Sequence, residues 1–210
     1  MYNILTVGSG CSPAAALRNL NLREIALPFD WIVSNIFNIE ECFEDNFSRF
    51  HNNLKFNHNK TRLIDDYGFE FPHDYPLVDT CNNSIDTIGE GVIGEEPGKY
   101  ITDDWIKYYD IVKQKYNRRI QRFLNIVNSP EPIIVLCRWK TNHVLYLEQL
   151  FFKYYNKKNI IFVNSCPEIF ANTTIINCYT EKNNIWNDVA VWKETVDYAI
   201  TNMLRLQYTK

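Results

Sequence analysis

Apolar and polar positions alternate along this chain in two rhythms, one of strands and one of helices. Asn3–Val7 is a short apolar and β-branched run that stops at Gly8-Ser9-Gly10, the pattern of a buried strand entering a tight turn. Ser12 suits a helix N-cap and Pro13 the first helical position, where its missing N–H costs nothing. Ala14 to Leu20 continue with strong helix formers, so Cys11 falls just outside a helix N-terminus. Leu27-Pro28-Phe29-Asp30-Trp31 reads as extended. Asn38 to Phe50 reads as an amphipathic helix with Ile39, Cys42, Phe43, Phe47 and Phe50 on one face. Trp105, Tyr109, Val112, Tyr116, Ile120, Phe123 and Val127 recur at three- and four-residue steps and predict a long helix over 102–127. Downstream the pattern predicts a strand at Ile133–Cys137, a helix at Val144–Tyr155, strands at Ile160–Val163 and Thr174–Asn177, and a closing helix from Asp188 to Leu204.

Strands alternating with helices favour a single three-layer α/β domain over 1–210, with a mostly parallel sheet covered on both faces, Rossmann-like or SGNH-like. The stretch from about 52 to 100 breaks the rhythm: it is polar and carries Gly89, Gly91, Gly94 and Pro97. It predicts a loop-rich insertion with a short hairpin around Arg62 to Phe71. A segment of that length is more often functional than idle, so it is a candidate pocket wall.

Composition narrows the function. At 46% hydrophobic the chain can bury one substantial core. A net charge of -3 with interspersed acids and bases gives no basic stripe, which argues against nucleic acid as a partner. Apolar runs such as Ile133–Cys137 fall far short of the roughly 20 residues that span a bilayer, and Gly8 and Gly10 interrupt any signal-peptide pattern. The reading is a cytosolic protein with no membrane span. Six cysteines without close pairs argue for thiols, Cys137 and Cys178 packing as small hydrophobes in strands. No metal-ligand spacing occurs, and neither a metal nor a cofactor is predicted. The oligomeric state is left open, although 15% aromatic content can supply a sticky assembly face as well as a core.

In a parallel sheet, ligands collect beyond the carboxyl ends of the strands, where Gly8 to Ser12 falls. A thiol at a helix N-terminus meets the positive end of the macrodipole, which favours thiolate. Cys11 is therefore the candidate nucleophile. Gly8 and Gly10 let a substrate approach the backbone, and the turn amides with Ser9 and Ser12 are candidates for holding an oxyanion. The alternative is a plain tight turn with the cysteine packed beneath the helix. A phosphate cradle is a weaker match, because the Gly-x-Gly-x-x-Gly spacing and the P-loop lysine are missing. Of four histidines, His73 is the candidate base, on a loop stiffened by Pro72 and Pro76 with Asp74 beside it. His51 and His58 fall in an Asn- and Lys-rich stretch and read as solvated; His143 reads as a capping or surface residue. Asp30 and Trp31 either lower a carboxylate into the cleft or plug the core while Asp30 bonds to backbone. Arg138 is a candidate for a substrate carboxylate or phosphate, or for a surface salt bridge. Asn187 and Asp188 read as caps of the last helix, Asp188 secondarily as an orienter of the base.

Gly8-Ser9-Gly10-Cys11, Leu17 to Leu22 and Pro28-Phe29-Asp30-Trp31 together resemble the N-terminal signature of a domain-of-unknown-function family labelled papain-like cysteine peptidases. The likeness continues through His73-Asp74-Tyr75-Pro76, Arg118 to Phe123, and Trp186-Asn187-Asp188 with Trp192-Lys193. Members often carry His and Phe where this chain has Pro72 and Tyr75, and a further histidine where it has Val191. The resemblance implies Cys11 as nucleophile, His73 as base and a papain-like α+β fold as the alternative to the Rossmann-like sheet. The implied function is a thiol-dependent hydrolase or acyltransferase on a small-molecule, peptide or glycan-linked substrate, with Asp74 or Asp188 orienting the imidazole. The rival from another class is a non-catalytic glycan- or nucleotide-binding domain.

Overall fold

The computed structural model describes residues 2–79, 84–85, 99–179 and 189–208. In chain order they form β1 (Asn3–Thr6), α1 (Ser12–Asn19), α2 (Ile36–Glu44), β2 (Lys55–Phe56), β3 (Leu63–Ile64), β4 (Glu70–Phe71), β5 (Leu77–Asp79), β6 (Ser84–Ile85) and β7 (Lys99–Ile101). A 3₁₀ segment, Asp103–Tyr108, runs into α3 (Tyr109–Val127), followed by β8 (Ile133–Cys137), α4 (Thr141–Tyr155), β9 (Ile160–Cys166), β10 (Ile175–Tyr179) and α5 (Val189–Tyr208). The chain divides into two compact units: Met1–Asp30 with Arg122–Lys210, and Trp31–Gln121. The polar stretch expected as a loop-rich insertion falls inside the second.

The first unit is mixed α/β, built on a parallel sheet in the order β1-β8-β9-β10. Its registers run Asn3↔Ile133 to Thr6↔Leu136, Ile133↔Ile160 to Cys137↔Asn164, and Ile175↔Phe162 to Tyr179↔Cys166. All of β8 and β9 is buried, which is why both read as nearly unbroken apolar runs rather than as alternation. Ile134, Leu136, Ile161 and Val163 pack with Ala16 and Leu17 of α1 and Trp192, Val196, Ala199 and Met203 of α5. Phe162, of the opposite parity along β9, meets Phe151 of α4 edge-on at 5.8 Å.

Among the described strands β1 is an edge. Leu5 and Thr6 are buried but Asn3 and Ile4 are only half so, which halves the burial its sequence suggests. No helix joins β9 to β10. The connecting chain turns back along β10, bridging Ala171 to Ile176, with Asn172 N donating to Ile175 O at 2.8 Å and Asn177 N to Phe170 O at 2.9 Å. That return covers part of a sheet edge.

The second unit holds two small antiparallel sheets, β2-β3-β4 and β6-β5-β7. The expected hairpin is there, pairing Leu63 with Phe71 and Ile64 with Glu70. The expected helix over 38–50 is shorter: α2 stops at Glu44 because Asn46 and Phe47 take positive φ, 55° and 66°. Phe47 N then reaches back to Cys42 O at 2.9 Å and Asn46 N to Phe43 O at 3.3 Å, satisfying the last carbonyls of the helix. Phe47 and Phe50 stay buried in the turns that follow. Phe50 touches Phe47, Phe69, Phe71 and Tyr116, with ring centroids 5.4–5.8 Å away. No described helix is long and apolar enough to cross a membrane.

Candidate functional site

After β1 the chain keeps one more sheet bond, Val7 N to Leu136 O at 3.0 Å, then turns through Gly8-Ser9-Gly10. Cys11 is itself the N-cap of α1, and its carbonyl accepts Ala15 N at 3.0 Å. The helix thus starts one residue earlier than Ser12 as N-cap would place it, with Pro13 in the first turn. The Cys11 side chain does not itself cap the helix, and the first turn holds no acid. The positive end of the macrodipole therefore meets no carboxylate of its own helix. Cys11 is 8% exposed and Ser12 2%, the Ser12 hydroxyl having no partner. Gly8 is closely approached: a Cβ there would lie 3.1 Å from Pro13 Cγ, a tight contact, and 3.5 Å from Arg138 N, an ordinary one. Gly10 faces open space, with nothing within 4 Å of the same position.

This turn is laced to the β8–α4 loop. Ser9 Oγ donates to Arg138 O at 2.8 Å, and Trp139 Nε1 donates to Val7 O at 3.2 Å. Asn164, fully buried in β9, holds that loop by accepting from Trp139 N at 2.9 Å and donating to Trp139 O at 3.0 Å and Asn177 Oδ1 at 2.9 Å. Asn177 passes the chain on to Thr141 Oγ1 at 2.9 Å, and Thr141 N donates to Glu168 at 3.0 Å at the start of α4. Sequence reasoning does not single out Trp139 or Asn164; the available signal is one asparagine inside an otherwise apolar strand run. Arg138 is half-buried, and burial lowers its pKa. His143 occupies the first turn of α4, its ring 6.1 Å from that of Trp139. Burial pushes the thiols of Cys42, Cys137 and Cys166 upward, so these three stay protonated at neutral pH.

Asp30, also in the first unit, accepts from Thr6 Oγ1 at 2.6 Å and Leu27 N at 2.8 Å, with Arg23 Nη2 at 3.4 Å. The carboxylate ties the Leu27–Asp30 turn to β1, and Phe29, 1% exposed, fills the core against Phe123. Asp30 also borders a cavity of about 320 Å³ lined by Tyr2, Leu17, Arg23, Leu27 and Ile126.

The remaining candidates belong to the second unit. His73 is half-buried, its ring edge-on to Trp31 with centroids 6.0 Å apart. Trp31 is 8% exposed. Asp74 is buried, and its carboxylate takes Lys115 Nζ at 2.7 Å and Tyr116 OH at 2.5 Å. Burial raises its pKa, but the Lys115 charge and these two hydrogen bonds bring it below the ordinary carboxylate value. His51 is not solvated but completely buried, correcting the expectation from its polar neighbours in sequence. Tyr109 and Tyr116 stack on its ring, Phe71 meets it edge-on at 4.7 Å, and Tyr75 OH lies 3.1 Å from Nε2, leaving Nδ1 without a partner. His58 is exposed, as expected. Asp188, with Trp186 and Asn187, lies outside the described residues.

The first unit is thus an α/β unit with the thiol of Cys11 on a strand–turn–helix at the carboxyl end of its parallel sheet. A family described as "putative papain-like cysteine peptidase (DUF1796)" matches residues 2–165, most of the chain, and the chain belongs to that family. The match includes the Cys11 turn, Pro28–Trp31 and His73–Pro76. Comparison with curated proteins and with solved structures gives no significant match.

Proposed function

We propose that the chain is a thiol-dependent hydrolase or acyltransferase. Cys11 sulfur attacks a carbonyl carbon, His73 takes the thiol proton and returns it to the leaving group, and water or an acceptor then releases the acyl group from sulfur. Asp74 or Asp188 orients the imidazole. Ser9 already donates to Arg138 O, so the developing oxyanion falls to the turn amides, with Gly10 giving the substrate room. The observation that carries this reading is the position of Cys11 as the N-cap of an α1 whose first turn has no acid. In the fold we propose, the first unit is a three-layer, Rossmann-like or SGNH-like sandwich, supported by α1 with α5 and α4 packing on strand residues of opposite parity. The family's description agrees with the papain-like alternative.

The test is the pH dependence of iodoacetamide labelling, read cysteine by cysteine by mass spectrometry. Cys11 is expected to react fast below about pH 7, where an ordinary thiol of pKa about 8.5 does not, and to slow in His73→Ala. Slowing in His143→Ala instead would move the base to the first unit. Ordinary reactivity at Cys11 would remove the enzyme reading, and tight ligand binding that survives Cys11→Ala would replace it with a binding domain.

A further inference from the structure

Arg138 has its main chain pinned to the Cys11 turn and a side chain that pairs with no acid among the described residues. Its carbonyl accepts the Ser9 hydroxyl at 2.8 Å, and its N lies 3.5 Å from where a Cβ on Gly8 would stand. The guanidinium is half-buried, and among the described residues no carboxylate pairs with it. A cation partly withdrawn from water without a counter-charge is costly, and an arriving anion relieves that cost. Two described acids of the same unit are engaged elsewhere. Glu168 is taken by Thr141, and Asp30 by Thr6, Leu27 N and Arg23.

The turn supplies the rest of an anion's surroundings. The first turn of α1 carries no acid, Gly10 opens onto empty space, and Ser12, 2% exposed, keeps a hydroxyl with no partner among the described residues. We infer that Arg138 anchors a carboxylate on the substrate, so that the compound attacked by Cys11 carries a single negative charge beside its reactive carbonyl. This rests on Cys11 being the nucleophile. A planar guanidinium offers two parallel N–H donors to a planar carboxylate. One such cation also balances one negative charge, whereas a phosphate dianion needs a second; Lys140 beside it is exposed to solvent.

Two alkylating reagents of similar size separate the charge from the chemistry: iodoacetate, a carboxylate, and iodoacetamide, its neutral counterpart. On Cys11 of the full chain, relative to the same peptide in the unfolded chain, iodoacetate is expected to be favoured about tenfold. Arg138→Gln should erase that preference, read as the ratio of the two rates, and Arg138→Lys should keep part of it. A ratio no higher in the native chain than in the unfolded one, or one unchanged in Arg138→Gln, overturns the inference. Should neither reagent alkylate Cys11, it is the nucleophile that fails, and thermal shift then judges the anion site. Succinate, but not succinamide, must raise the melting temperature of the wild type and not of Arg138→Gln. No shift, or a shift with inorganic phosphate alone, overturns the carboxylate.

Discussion

Gly8 and Gly10 stand two residues apart in one turn and answer to different constraints. A methyl on Gly8 would press on the Pro13 ring at 3.1 Å and meet Arg138 N at 3.5 Å. Gly8→Ala should therefore lower stability by about 1–2 kcal/mol, as over-packing does. Gly10→Ala meets nothing within 4 Å and should stay within about 0.5 kcal/mol of wild type in urea denaturation. Equal effects at the two positions would contradict the geometry of the turn. Asn164 is the residue on which the other loop hangs. Replacing it by Leu keeps most of the volume but leaves Trp139 N, Trp139 O and Asn177 unanswered in a buried site. The expected cost is about 3 kcal/mol, because orphaned buried groups lose their full desolvation penalty. A cost under about 1 kcal/mol would mean that water replaces the side chain.

At the scale of elements, what is local in cause is legible in the sequence. Ile133–Cys137 appears with its observed bounds because it is buried on every residue and lies between Pro132 and Arg138. The Cys11 turn is legible too, since glycine, serine and proline act through their own backbones. Other features depend on partners far along the chain. Phe47 and Phe50 keep a helical spacing past the end of α2, so periodicity alone overruns into turns that only Asn46 and Phe47 φ values reveal. His51 has polar neighbours in sequence, but its neighbours in space, Phe71, Tyr75 and Tyr116, come from β4, the chain before β5, and α3. The lacing of the site by Trp139 and Asn164 is hidden for the same reason. Helix ends offer a direct check on the local side of this division. Asn156 caps α4 in the left-handed region, at φ 50°, its N–H reaching Phe151 O and Phe152 O. Asn156→Ala should cost about 1 kcal/mol while Asn156→Gly costs nothing or stabilises. If thermal melts rank the two the other way, the asparagine side chain rather than its backbone is what ends the helix.

At the scale of the whole molecule, the second unit lies in sequence between two parts of the first, and it holds three buried groups whose protonation couples to folding: His51, Asp65 and Asp74. Burial pushes His51 down to about 4 from 6.5, and pushes Asp65 up to about 6 from 3.8. Between those values the unfolded chain binds a proton on His51 that the folded chain refuses. The stability this histidine contributes is present above 6.5 and is lost as pH falls toward its folded value. Asp65 acts in the opposite sense, because the folded chain keeps a proton that the unfolded chain has released. Its contribution is complete below 3.8 and is lost as pH rises through about 6. The two slopes oppose each other over nearly the same window, so wild-type stability should change little between about pH 4 and 6. Below that window Asp74 takes over: its folded pKa is held under 3.8 by Lys115 and Tyr116 against the effect of burial, and its contribution is lost as it protonates. Chemical denaturation at a series of pH values separates the pair. In His51→Gln, Asp65 stands unopposed and stability should rise as pH is lowered from about 6 to 4. In Asp65→Asn it should fall over the same interval, by up to about 3 kcal/mol. The two variants differ in baseline stability, since each removes buried hydrogen bonds, but the opposite signs of their slopes do not depend on that baseline. Slopes of the same sign would show that burial does not hold these two groups in opposite protonation states, and the near-flat wild-type profile would need another cause.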